Sequence, residues 1–334
     1  MTTSERLERL LAFVEHDSGN FGLMAYAGFA HLQAQRYEEA ERLLSDALAG
    51  GREAAEVRYN LAFARFMQKR YADALEGLSS AVSLAFPLAL LLRARCLHHL
   101  ARAVEAIADC RAHLAVAAGD AETHGLLALL LHEQGQNQTA KEHASVALKD
   151  NPQQLDAMLA SASIHSQARE YEQAQPAFEA LLRAHPGCGR GWLGLGLIKL
   201  SQMQTNAAKH DVELAAARMP EHNGTWHVLG WIHIMSGDLL AAEAAFQRAL
   251  DIDRAFGETH GGLAVVAALQ GRESEARQGI KRALKLDPQA MSARYAEIAL
   301  LRRGGQHTQA DALFTAFLSR QAGPDAFQFG NPFN

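Results

Sequence analysis

The chain reads as an all-α solenoid of about nine tandem helix-turn-helix units behind an N-terminal capping helix, and three observations predict it. A small-residue position recurs in constant phase from Ala40 to Ala310. Apolar residues keep the three-and-four spacing of helices, and no stretch alternates apolar with polar long enough for a strand. Glycines that suit a left-handed helix end fall at matching places, at Gly135, Gly237, Gly271 and Gly305.

The capping helix comes first. Ser4 to His16 carries Leu7, Leu10, Leu11 and Val14 on one face, which suits it to cover the open end of the first unit, so residues 1–20 are assigned to the cap. The repeat follows over residues 21–320. Ala40, Ala74, Ala106, Ala140, Ala174, Ala208, Ala242, Ala276 and Ala310 step by 34 residues, except for one step of 32 between the second and third units. The two missing residues place an irregularity at 86–88, near Phe86 and Pro87.

Other positions keep phase with that alanine. Trp192 and Trp226 take the fourth position of their units, Gly28, Gly196 and Gly230 the eighth, Tyr37, Tyr71 and Tyr171 the seventeenth, and Phe178, Phe246 and Phe314 the twenty-fourth. Pro152, Pro186, Pro220 and Pro288 close four units, because proline cannot continue a helix. The small residue at position eight is expected to face the alanine at position twenty and bring two helix axes together; a leucine there would overpack at a cost of about 1 to 3 kcal/mol. Each unit alone leaves one face uncovered, so neighbours share a continuous core.

This pattern of Trp, Leu-Gly, Tyr, Ala, Phe, Ala and Pro positions resembles the tetratricopeptide repeat. The resemblance implies a right-handed superhelical solenoid that acts as a scaffold, adaptor or chaperone, binding peptides or helices in a concave groove. It also implies that positions two, five, nine, twelve and thirteen of each first helix line that groove. Read residue by residue, these give Phe29, Tyr59, Phe63, Phe66 and Met67 near the start, with Ala25, and Leu193, Leu197, His227, Trp231, Ile234, Met235 and Val265 farther on. A polar belt of Arg95, His98, His99, His132, Glu133, Ser163 and Ser166 lies between. The Lys and Asn clamp with which some relatives hold a carboxyl terminus is absent.

Exposed Phe, Trp and Met suit an amphipathic helix or extended apolar segment of a partner protein. Replacing Phe63 and Trp231 by Ala is therefore expected to weaken partner capture without unfolding the array. A regulatory array steering an associated enzyme is the alternative. The tail, 321–334, offers Phe327, Phe329 and Phe333 behind Gly323-Pro324, and these could enter the chain's own groove or that of a second copy.

Composition narrows the classes. A formal charge of -5 offers no excess of Lys and Arg for phosphate backbones, so no nucleic-acid partner is expected. The acidic residues of the first twenty positions do not fit a secretory signal, and no run approaches the length of a membrane span. Three cysteines, Cys96, Cys110 and Cys188, with no CxxC pair, fit a reducing cytoplasm.

Three constellations imitate chemistry. Gly189 to Gly194 spells GxGxxG but follows a helix, in repeat phase, where a dinucleotide loop needs a strand before it. His98 and His132 both hold position twelve of adjacent units and could supply two zinc ligands, yet a polar groove is the commoner outcome. Cys96 and Cys110 fall on facing helices as core thiols. No catalytic residue, metal or cofactor is expected, and His31, His165 and His233, at position eleven, are expected to be hydrogen-bonded core residues.

Overall fold

A computed structural model describes residues 3–320, and every regular element among them is a helix. By contact the chain divides into two compact units, Met1–Ile164 and His165–Asn334. The tail phenylalanines Phe327, Phe329 and Phe333 lie outside the described residues.

In the first unit, α1 (Thr3–His16) packs on α2 (Phe21–Gln33), which pairs with α3 (Tyr37–Ala49). Leu7 and Val14 of α1 are buried, and Leu10 and Leu11 pack on the core shared by α2 and α3, as a cap requires. α4 (Ala55–Met67) follows, then two short helices, α5 (Tyr71–Glu76) and α6 (Ser80–Ala85). α7 (Leu88–His99) pairs with α8 (Ala103–Leu114), and α9 (Ala121–Glu133) with α10 (Asn137–Asp150).

Ahead of residues 86–88, where an irregularity was expected, a helix is broken. Gly77 to Ser79 interrupt what is one continuous helix in the other hairpins, and the Ser79 side chain caps the second piece by accepting from Val82 N–H. Leu78 and Val82 still reach the core, so the break preserves burial.

α11 (Leu155–Gln167) contains the boundary between the compact units. In the second unit, α12 (Tyr171–Ala184) precedes three packed hairpins: α13 (Gly189–Ser201) with α14 (Thr205–Arg218), α15 (Asn223–Met235) with α16 (Leu239–Ile252), and α17 (Gly257–Gln270) with α18 (Glu273–Leu286). α19 (Met291–Arg303) and α20 (His307–Arg320) form the last.

All nine phased alanines, Ala40 through Ala310, have no accessible surface. The contact they serve differs in detail from the expectation. A Cβ on Gly28 would stand 2.7 Å from Leu44 and 3.4 Å from the Ala40 carbonyl, and one on Gly196 2.7 Å from Val212 and 3.3 Å from the Ala208 carbonyl. Position eight thus meets the backbone of position twenty and the side chain of position twenty-four.

The turns inside the hairpins are built alike. Gln35, Lys69, Ala101, Gly135, Arg169, Met203, Gly237, Gly271 and Gly305 all have φ between 57° and 83°, in the left-handed region. In each, the next residue's N–H donates to a carbonyl five back, for example Arg102 to Leu97 and Gln136 to Leu131, both at 2.8 to 2.9 Å. This paired closure satisfies the last carbonyls of the first helix. Four turns are glycine, as the sequence suggested; five hold the same conformation with a side chain, at a cost of roughly 1 to 2 kcal/mol each.

The GxGxxG letters lie inside α13. Their glycines admit neighbouring side chains, with Phe178 against Gly194 and Leu181 and Leu182 against Gly191.

Candidate functional site

The first-helix faces present two surfaces, one in each compact unit. In the first unit, Phe29 and Met67 are exposed, at 42% and 40%, while Tyr59, Phe63 and Phe66 are half-buried. Tyr59 packs against Phe86 with ring centroids 4.9 Å apart, and Phe66 meets Tyr71 at 5.5 Å and His99 at 5.7 Å. Tyr71 and His99 stack in parallel at 4.1 Å. The result is an aromatic ribbon beside the broken helix, part core and part surface.

The polar residues next to it are tied to one another. Arg95 bridges Glu122 at 2.9 Å and Asp156 at 3.1 Å. His98 Nε2 lies 2.9 Å from Glu133, and His132 Nδ1 lies 2.8 Å from Asn137. The two histidines that register sets side by side therefore take separate partners. Cys96 and Cys110 are buried, and burial pushes both thiols up to about 12, which keeps them from acting as nucleophiles at neutral pH.

In the second unit an open cavity of about 260 Å³ lies among Leu197 of α13, His227, Val228 and Trp231 of α15, Phe256 and Glu258 at the start of α17, and Met291, Ser292 and Tyr295 of α19. Its assembly begins with glycine. A Cβ on Gly261 would fall 2.6 Å from the Ala293 nitrogen, so α17 and α19 touch along their backbones. Glu258 fixes that contact by accepting from Met291 N–H at 2.6 Å and Ser292 N–H at 2.9 Å, which also caps α19. The close approach places Tyr295 5.4 Å from Trp231, edge to face, and Phe246 also meets the indole edge to face at 6.2 Å.

His227 completes the wall. Trp231 donates its indole N–H to His227 Nε2 at 3.1 Å, so the imidazole is neutral and carries its proton on Nδ1. Burial pulls its pKa down to about 4, in keeping with that state. The lining is almost wholly apolar, and the one carboxylate in it is occupied by backbone N–H groups. Such a wall suits an aromatic or branched apolar side chain.

Two expectations need correction. Trp231 and Ile234, read as exposed groove residues, are 2% and 5% exposed and belong to the core of the second unit. The close α17–α19 contact brings Tyr295 against Trp231, which no spacing within α15 reveals. His227 and Met235 are half-buried. The position-eleven histidines also differ: His165 sits 2.5 Å from Glu170, but His31 is fully buried with no partner on either ring nitrogen among the described residues, and His233 Nδ1 likewise has none. Tyr295 was legible, since it holds position five of its unit; Phe256 ends a loop and gave no signal.

Among the described residues no helix is long and apolar enough to cross a membrane.

A family model described as tetratricopeptide repeat matches residues 31–86, 131–198 and 233–304, together more than half of the chain. Cellulose synthase operon protein C of Komagataeibacter xylinus is 32% identical over 116 residues, covering 31% of this chain. The chain spans about a tenth of that relative's length, 9%. Among solved structures, the human IFIT1 dimer with m7Gppp-AAAA has a TM-score of 0.62 at 15% identity over 96% of this chain and 87% of that one. A tetratricopeptide repeat protein from Parabacteroides merdae has a TM-score of 0.55 at 15% identity over 79% of this chain and 98% of its own. These structural likenesses concern the fold.

Proposed function

Because the chain belongs to the tetratricopeptide repeat family, whose fold supports protein-interaction scaffolding in general, we propose that it holds an apolar or helical segment of another protein against its first-helix faces. The cavity walled by His227, Trp231, Phe256 and Tyr295 carries this reading, because it offers a preformed apolar seat for one anchoring side chain. Phe29 and Met67, exposed in the first compact unit, are the second contact surface. A protein partner rather than nucleic acid is supported by the net charge of -5, and a reducing, cytoplasmic setting by three free cysteines.

Affinity capture with the whole chain and a Leu197→Arg variant tests the proposal. Leu197 lines the cavity and is half-buried, so the arginine charges the seat at modest cost to folding. A partner identified by mass spectrometry with the parent chain and lost from the variant is the expected result; identical captured sets would remove the cavity from the function.

The alternative reading, a repeat module attached to an enzyme, draws support from the name of the matched relative, cellulose synthase operon protein C. It predicts a co-purifying enzyme whose rate changes on binding.

A further inference from the structure

The second compact unit holds another open hollow, of about 190 Å³, among Gln247, Leu250 and Asp251 of α16, Arg254 in the loop that follows, His260 of α17 and Arg282 of α18. We propose that this hollow binds a phosphate monoester carried by a protein segment, that is, a phosphorylated side chain of the partner. The inference rests on the scaffold reading and adds to it the chemical class of one contact.

Three observations carry it. First, the cations are free. Arg254 and Arg282 are exposed and form no ion pair among the described residues, whereas Arg248, Arg272 and Arg277 are each bridged to a glutamate. The one carboxylate of the lining, Asp251, accepts from Gln247 Nε2 at 3.2 Å. Two guanidinium forks on separate elements suit a tetrahedral anion, which presents acceptor oxygens in several directions. Second, a buried nitrogen lacks a partner. His260 is 7% exposed and its Nε2 donates to the Arg254 carbonyl at 3.0 Å, so the neutral ring leaves Nδ1 a bare acceptor that nothing bonds among the described residues. His124, in the same position four repeats earlier, shows what such a nitrogen takes: its Nδ1 lies 2.8 Å from Nδ1 of His143 in α10. Gly279 holds the place of His143 in α18, and a Cβ there would stand 2.8 Å from that of Ala264, so α18 offers the ring no side chain at that point. A phosphate monoester, whose second proton leaves at about pH 6, supplies the missing proton, as its own O–H or through a protonated ring that donates back to it. Third, Arg254 stands two residues before Phe256, which lines the apolar cavity, so hollow and cavity flank one loop. A segment with an apolar anchor and a phosphorylated residue can use both, which favours a protein over a nucleic acid or a lipid surface.

Phosphorylation of the partner then adds a contact without moving a helix of the scaffold. The added charge, about −1.5 to −2, meets two arginines that otherwise face solvent. Lys281 and Lys285, exposed on α18 to either side of Arg282 in sequence, extend the positive face.

The test titrates the full chain calorimetrically with N-acetyl-O-phosphoserine amide and with its unphosphorylated counterpart. The parent should bind the phosphorylated probe saturably and ignore the other. Arg254→Ala and Arg282→Ala should each weaken binding about tenfold, the worth of a hydrogen bond to a charged group. His260→Trp keeps the bond to the Arg254 carbonyl through its own ring N–H, deletes Nδ1 and should abolish binding while the thermal midpoint holds. In the imidazole nitrogen NMR spectrum, with the His260 signal assigned by its absence from His260→Trp, Nδ1 should leave the bare-nitrogen range when the probe is added. Equal response to both probes, no binding by the parent, or binding indifferent to both arginine variants overturns the proposal. A single-stranded oligonucleotide or phosphatidylserine vesicles bound through Arg282 while the phosphoserine probe is ignored would assign the hollow to another class of ligand and overturn it too. If the probe fails to bind while Leu197→Arg still loses the captured partner, this inference falls and the scaffold reading of the cavity stands. Probe binding that needs Arg282, with no partner lost by Leu197→Arg, does the reverse.

Discussion

The indole N–H of Trp226 donates to the carbonyl of Pro220 at 2.9 Å, tying the fourth residue of one repeat to the closing proline of the repeat before it. Trp192 makes the same bond to Pro186 at 2.9 Å. Two histidines at position four take over the role: His124 Nε2 bonds the Ala118 carbonyl at 2.9 Å, and His260 Nε2 the Arg254 carbonyl at 3.0 Å. Ring N–H, and neither tryptophan nor proline as such, is what these junctions require. Trp226→Phe should cost about 1 kcal/mol, the net worth of one hydrogen bond, while His260→Trp should keep the junction intact. Chemical denaturation of the two variants against the parent measures both.

Five of the nine turns hold a side-chain-bearing residue where glycine is the easier choice. Ala101→Gly removes the left-handed penalty at φ 57° and should stabilise by about 1 kcal/mol. Gly135→Ala, at φ 73°, should lose a similar amount. Opposite shifts in the thermal midpoint check the pair; equal shifts would deny that the turn geometry governs.

Acid should weaken the fold. Burial lowers the pKa of His31, His143, His222, His227 and His233, so each is neutral when folded and takes a proton more readily when unfolded. Their contribution is complete above the unfolded value near pH 6.5 and is lost as pH falls toward the folded values. His227, held at about 4, accounts for about 3 kcal/mol of that loss by pH 4. Thermal midpoints taken from pH 7.5 down to pH 4 should fall steadily, and His227→Gln should flatten the curve.

His31 invites a simpler change. Its ring is fully buried and neither nitrogen has a partner among the described residues, so His31→Leu exchanges an unsatisfied polar group for an apolar one. A gain of about 1 kcal/mol in a denaturant titration is expected.

Trp231→Ala is a folding mutation. With the indole 2% exposed and in edge contact with both Phe246 and Tyr295, truncation leaves a core void and should cost about 3 to 5 kcal/mol. The earlier expectation that it would spare the array fails on that burial. Loss of partner binding in this variant would therefore report on stability, which is why Leu197→Arg serves as the probe; a cooperative melt near the parent midpoint for Trp231→Ala would contradict the packing described.

Much of the fold was readable because stacking imposes a period: the alanines, the turn glycines and the capping helix are positions where geometry admits few residues. The site was less so. Helical register puts Trp231 on the groove side of α15, but whether a groove residue is covered depends on how near the next first helix lies. That distance is set by Gly261 and Ser292, one repeat away and the next. The ring bonds of His124 and His260 were missed for a similar reason, since their partner is a carbonyl that no side chain marks.

The split outer helix of the second repeat has a consequence for how the chain breathes. Six-residue helices have too few internal bonds to persist alone, so α5 and α6 exist by virtue of Leu78 and Val82 clinging to α4 and α7. Backbone amides there should be the first in the interior of that half to trade hydrogen for deuterium. The aromatic ribbon of Tyr59, Phe66 and Phe86 borders this soft spot, and it would gain room to remodel around a guest whenever the segment loosens.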